Sequence, residues 1–187
     1  INFSYFDASA KYTDSVIGLQ DSDEKNYSID LSYAVGENGN LYAFLNRDEI
    51  DSNMSNATSV SAEPWLAQTR DRIRTVGVGY SHAIGENTKI GIDYVSSSSR
   101  GKIHVQTDAE EPFSPLITNL TNTKLYIDHE FSEHWGIKLY VEQEEFKSRD
   151  WAIDGYGVDD IPSVLTLGEV SPRYDALYTR ILASYRF

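Results

Sequence analysis

The sequence predicts an all-β chain: an antiparallel, transmembrane outer-membrane β-barrel of which about eight strands are present. Three features carry that expectation. Apolar and polar residues alternate through several segments, short and long connections take turns between them, and the last segment stops on an aromatic residue, Phe187. A period of two sends successive side chains to opposite faces of a strand. A wall between lipid and water needs that pattern.

The opening segment, Asn2 to Tyr12, and Asn40 to Ile50 read as strands of ambiguous facing. Lys25 to Val35 is the clearest: Tyr27, Ile29, Leu31, Tyr33 and Val35 alternate with Asn26, Ser28, Asp30, Ser32 and Ala34. Thr69 to Ala83 sets Val76, Val78 and Tyr80 against Thr75, Gly77, Gly79 and Ser81, and Thr88 to Ser98 sets Ile90, Ile92 and Tyr94 against Lys89, Gly91 and Asp93. Thr121 to Phe131 and Gly136 to Lys147 follow with Leu125, Ile127 and Phe131, then Ile137, Leu139 and Val141. The closing strand, Tyr174 to Phe187, carries Leu177, Ile181, Ala183, Tyr185 and Phe187 on one face. Residues 1–187 read as one barrel segment without an internal domain boundary.

Short connections fall at Gly36 to Asn40, Gly85 to Thr88 and Ser132 to Trp135, the first two with the Gly and Asn that tight hairpins use. Long ones run from Thr13 to Glu24, Ser52 to Gln68, Ser99 to Leu120 and Ser148 to Arg173. With a periplasmic C-terminus, every short turn is periplasmic and every long loop extracellular, the asymmetry of bacterial outer-membrane barrels. The chain opens at Ile1 with neither initiator Met nor leader, which reads as a mature product or an excised piece.

Composition narrows the function. Sixteen Lys and Arg against 29 Asp and Glu give a net charge of -13, which argues against a nucleic-acid partner. The absence of cysteine excludes disulfides, thiolate metal sites and covalent haem attachment in this chain. A mean hydropathy of -0.44 is compatible with barrel strands, which meet lipid only at alternate positions. Thirteen Tyr and three Trp suit water–lipid interfaces, with Tyr27, Tyr33, Tyr80 and Tyr94 as lipid-facing anchors.

The expected inward set includes Asn26, Ser28, Asp30, Ser32, Gly77, Gly79, Gly91, Asp93, Lys124, Asp128, Lys138, Glu142 and Glu144. Gly79 and Gly91 fall near each other across the Gly85 hairpin, so with Gly77 they form a shallow patch without side chains. Either another protein lies against that patch, or glycine relieves strand coiling at a bend.

The run IPSVLTLGE at Ile161 to Glu169, with SPRY at Ser171 to Tyr174 and the closing SYRF, resembles the C-terminal signature of the MtrB/PioB family of decahaem-associated outer-membrane β-barrels. NYSIDLSYAV at Asn26 to Val35, WLAQT at Trp65 to Thr69 and TVGVGYSHAI at Thr75 to Ile84 resemble the same family in the same order. The resemblance implies the C-terminal third of a barrel of more than twenty strands. It implies a sheath around a periplasmic multihaem c-type cytochrome, with an extracellular multihaem cytochrome docked on the outer loops, so that electrons cross the outer membrane. Haem then belongs to the partners, and the chain has no cofactor of its own. Gly77, Gly79, Gly91 and Asp93 become partner-facing lumen residues; replacing Gly79 or Gly91 by Phe is expected to weaken cytochrome retention while the barrel still inserts. Trp151, Tyr156, Ile161, Leu165 and Leu167 lie in a loop too apolar to be merely solvated, which either folds inward against the lumen contents or packs on the outer cytochrome, and in the second case they become outer docking residues. Tyr185 and Phe187 resemble the signal read by the barrel-insertion machinery. The alternative is a self-contained eight-stranded porin or adhesion-type barrel.

Other constellations point elsewhere less well. His82, His104, His129 and His134 fall at turns, near a rim or in an outer loop, and no serine, histidine and acid converge, so no enzyme is expected. Asp21, Asp23 and Glu24, the pair Glu110 and Glu111, and Asp154, Asp159 and Asp160 are oxygen-rich outer segments of a kind that can hold Ca²⁺. None has the spacing of a dedicated calcium loop, and a solvated acidic face explains them as well.

Overall fold

A computed structural model of the chain describes residues 1–13, 17–56, 65–106, 114–150 and 172–186. Eight antiparallel strands follow one another: β1 Asn2–Lys11, β2 Gly18–Val35, β3 Gly39–Asn56, β4 Trp65–Ile84, β5 Thr88–Gln106, β6 Leu116–Glu130, β7 Trp135–Arg149 and β8 Arg173–Tyr185. They form one sheet in the order β1 to β8, with β1 and β8 as its edges. Among the described residues the wall is therefore an open meander, and no helix is long and apolar enough to cross a membrane.

The short connections join β2 to β3, β4 to β5 and β6 to β7, and the beginning of β1 and the end of β8 lie at that same end of the sheet. Gly36 and Gly85 take left-handed φ values of 64° and 65°, which an L side chain reaches only with strain. Each turn is tied to the strand beyond it: the carbonyls of Asn38, Asn87 and His134 accept from the amides of Ala83, Glu130 and Arg186, each at 2.8 Å. In the third turn Ser132 Oγ accepts from the amides of His134 and Trp135 at 3.3 and 3.2 Å.

At the opposite end the strands run further than the sequence predicts. Residues 18–24, 52–56, 65–68, 99–106 and 116–120, expected in long loops, continue the ladders. Asp21, Asp23 and Glu24 thus stand on a strand, and His104 pairs with Gln68 instead of occupying a loop. A pairing shift between Leu19 and Asp21 marks a bulge near the start of β2.

Register divides the wall into two faces. One carries an apolar band: Ile29, Leu45, Val76 and their successors toward the short turns, then Ile92, Leu125, Val141 and Ile181. Tyr27, Tyr33, Tyr80 and Tyr94 share it, as expected. The band descends across the sheet, since the pairing row of Tyr27 ends at Arg173 whereas the apolar run of β8 begins at Leu177. Strands tilted against a level membrane require that offset. On β2 the band runs from Tyr27 to Val35, close to the roughly 9–11 residues a tilted strand needs to span hydrocarbon.

No core lies between these faces. Ala67 is the one buried apolar residue among those described, while Tyr33, Leu177 and Ile181 are each about two-thirds exposed to their surroundings. A face of this kind is covered by lipid or it is not stable in water.

Candidate functional site on the polar face

The whole expected inward set, from Asn26 to Glu144, lies on the face opposite the apolar band. One pairing row crosses its centre: Ser32, Tyr42, Gly79, Asp93, Lys124, Glu142 and Tyr178. The Tyr42 hydroxyl reaches across Gly79 to donate to Asp93 Oδ1 at 2.8 Å, and Lys124 Nζ holds Asp93 Oδ2 at 2.9 Å. The Asp93 side chain is only 13% exposed, so both its oxygens are committed within the wall. Glu142 accepts from Asn122 Nδ2 at 2.6 Å and faces the Arg180 guanidinium at 3.8 Å. Polar pairs continue on either side, with Asn26 to Asp48, Lys138 to Asp128, and Tyr174 to Glu144.

The glycines are close together as expected, with Gly79 opposite Asp93 and Gly91 opposite Ser81 on neighbouring positions. The patch they make is not bare, which corrects the picture of a surface without side chains. A Cβ on Gly77 would stand 2.2 Å from the Phe44 ring, one on Gly79 2.3 Å from the Tyr42 ring, and one on Gly91 2.3 Å from the Tyr126 ring. Each glycine is a seat over which a ring from the adjacent strand occupies the space a Cβ would take. Rings laid down in this way project less into the space beside the wall than upright ones. Phe substitution at Gly79 or Gly91 therefore meets the wall's own aromatics first, and its effect on a partner is not separable from damage to the sheet.

Tyr42, Phe44 and Tyr126 are the site residues that sequence reasoning missed, because β3 had no assigned facing and the glycines no assigned neighbours. Of the other expected positions, Trp151, Tyr156, Ile161, Leu165 and Leu167 lie outside the described residues, and so does Phe187. Tyr185 pairs with Trp135, their rings 4.8 Å apart at the turn end of the apolar face. His82 and His129 sit at that end too, His82 against Tyr80 and His129 against Thr88. Among the described residues no three His, Cys, Asp or Glu side chains converge as a metal site. Glu110, Glu111, Asp154, Asp159 and Asp160 fall outside them.

The arrangement is thus a two-sided sheet, apolar on one side and, on the other, a polar lattice whose central charges, Asp93 with Lys124 and Glu142 with Arg180, are paired in place. Comparison with known proteins agrees. A family profile described as "Putative outer membrane beta-barrel porin, MtrB/PioB" matches residues 1–187. The chain is also 27% identical over 188 residues to the outer membrane protein MtrB of Shewanella baltica (strain OS185), an alignment that covers all of this chain and 27% of that relative. The chain spans about a quarter of the length of the curated relative it matches.

Proposed function

The chain belongs to the MtrB/PioB family of outer-membrane β-barrel porins, and from that premise we propose that it is one sector of a barrel wider than eight strands that sheathes an electron-carrying cytochrome. The polar face lines the lumen and lies against a periplasmic multihaem c-type cytochrome. The long connections, the Ser148 to Arg173 segment above all, receive an extracellular multihaem cytochrome. The wall itself takes no part in the chemistry: its apolar band keeps hydrocarbon outside, its unbroken ladders satisfy the backbone in lipid, and its inner side chains position the carrier.

The observation that supports this most is the combination of an open sheet with inner aromatics folded onto glycine. A self-contained eight-stranded barrel has to pair β1 with β8 and fill its narrow interior with side chains. Here β1 and β8 are edges of the sheet, and the glycine seats lower the inner surface instead of filling it. Paired charges suit a wall facing a solvated protein, since few of them need the partner for compensation.

Two measurements test the reading. The full-length protein, solubilised in detergent from its native membrane, is expected to bring haem absorbance with it; haem-free protein at full recovery would overturn the sheath. Orientation is read separately, since this chain contains no cysteine of its own. On intact cells, Thr13→Cys at the long-connection end is expected to react with a membrane-impermeant maleimide and Glu86→Cys in the β4–β5 turn is not. The reverse pattern would invert the assignment.

A further inference from the structure

Immediately beyond the apolar band, on the membrane-facing side, the wall changes character. Leu45 on β3 is followed on that face by Arg47, and Val76 on β4 is preceded by Arg74, Arg72 and Arg70. On β5 the same face continues from Tyr94 through Ser96 and Ser98 to Arg100 and Lys102. On β3, β4 and β5 six cations thus meet two carboxylates, Glu49 and Asp51, with Lys25 and Asp23 opposite those two on β2, in a chain whose net charge is -13.

The pairing is unfavourable in a specific way. Arg47 lies directly opposite Arg74, Arg72 opposite Arg100, and Arg70 opposite Lys102. Side chains so opposed have Cβ atoms roughly 4.5–5.5 Å apart, and like charges there destabilise a sheet. Glu49 and Asp51 compensate Arg47, Arg70 and Arg72, at 2.6 Å from Arg47, 2.7 Å from Arg70 and 3.1 Å from Arg72. Arg74, Arg100 and Lys102 are exposed and have no carboxylate within ion-pair distance among the described residues.

We propose that this patch binds the phosphate groups of a phosphorylated glycolipid, lipid A, in the outer leaflet. Opposed guanidinium and ammonium groups can share one phosphate, which turns the repulsion between strands into attraction through the anion. The height fits, because the patch begins where the apolar band ends, beside the interfacial Tyr27 and Tyr94. The direction fits as well: these residues stand on the side of the wall that meets lipid and not on a loop, where a protein arriving from outside would dock. The inference rests on the outward orientation proposed above, which the cysteine labelling tests by itself.

The test uses the full-length protein and its R74Q/R100Q/K102Q variant, each presented with phosphatidylcholine vesicles containing diphosphoryl lipid A or its dephosphorylated form. Lipid retained after re-extraction is counted by native mass spectrometry. Wild-type protein is expected to retain diphosphoryl lipid A at least about tenfold better than the variant does, the ceiling being the roughly hundredfold that three cations at an anionic surface provide, and to show no such preference for the dephosphorylated form. Equal retention by wild type and variant would overturn the proposal, whatever the variant does to an extracellular protein partner. If the variant fails to insert, the wild-type comparison decides, since equal retention of the two lipid forms also overturns it. Displacement of the lipid by millimolar inorganic phosphate would reassign the patch to free anions.

Discussion

At the scale of single residues, the glycines on the polar face do different work from those in the turns. Gly79→Ala places a methyl group within 2.3 Å of the Tyr42 ring and 2.6 Å of Asp93 Oδ1, so the ring must lift and its hydrogen bond to Asp93 is lost. The expected cost is about 1–3 kcal/mol, the usual range for overpacking, read as a lower midpoint for heat-induced unfolding of the inserted barrel in detergent. Tyr42→Phe keeps the ring seated and removes only its hydroxyl, and since Lys124 still holds Asp93 the loss is expected to be about 0.5–1.5 kcal/mol. The pair is informative together: equal midpoints for Gly79→Ala and wild type would mean that Tyr42 does not rest on Gly79. This part of the site was half legible in the sequence. The three-residue turn after Ile84 fixes Gly79 opposite Asp93, and the turn at Ser132 fixes Lys124 opposite Glu142. The partners Tyr42 with Gly79 and Gly91 with Tyr126 lie across long connections, where loop length does not determine register.

At the scale of elements, the sequence shows strands clearly only where they cross lipid. Within the apolar band one face must be greasy and the other need not be, so a period of two is written into the residues. Above it both faces are wet, and stretches such as Ser96 to Ser99 or Asp21 to Glu24 show no alternation although their ladders continue to Gln106 and, past the bulge at Leu19, to Gly18. Backbone pairing persists there because each strand extends a ladder already in register with at least one neighbour. Ser99 is a direct test, as an expected loop residue that the structure pairs with Ile73 on β4 and Thr118 on β6. Ser99→Pro removes the amide proton and fixes φ inside a three-strand ladder. It is expected to cost about 1–3 kcal/mol, the range for a lost ladder bond that leaves its acceptor unsatisfied, again as a lowered unfolding midpoint of the inserted barrel. A midpoint within error of wild type would return this segment to a loop.

At the scale of the whole molecule, the decisive fact is that a sheet with one apolar and one polar face and no packed interior cannot be a finished object with free edges. Unpaired edge groups are tolerated at a water-exposed rim, but in hydrocarbon each unsatisfied backbone group costs several kcal/mol. β1 from Asn2 to Tyr5 and β8 from Leu177 onward stand at the level of the apolar band, so each must be paired there by a strand. Two closures satisfy this. The edges pair with each other in a narrow barrel, or each pairs with a strand outside these residues in a wide one. They differ in one distance, that between β1 and β8, which is the width of a single strand pair in the first case and a substantial part of the barrel wall in the second. Cysteines placed singly along β1, at Ser4, Phe6 and Ala8, and combined with one at Tyr178 or Arg180 on β8, convert this into a yes-or-no result, because disulfides require Cα atoms within about 7 Å. All these positions lie on the polar face by register, so lipid does not shield them from a water-soluble oxidant. In the full-length protein no combination is expected to cross-link, whereas Ser32→Cys with Tyr42→Cys, directly opposed on β2 and β3, should do so readily and serves as the positive control. A cross-link between β1 and β8 at any register would close the eight strands on themselves and remove the room for an enclosed cytochrome, since the interior of such a barrel is only wide enough for its own side chains.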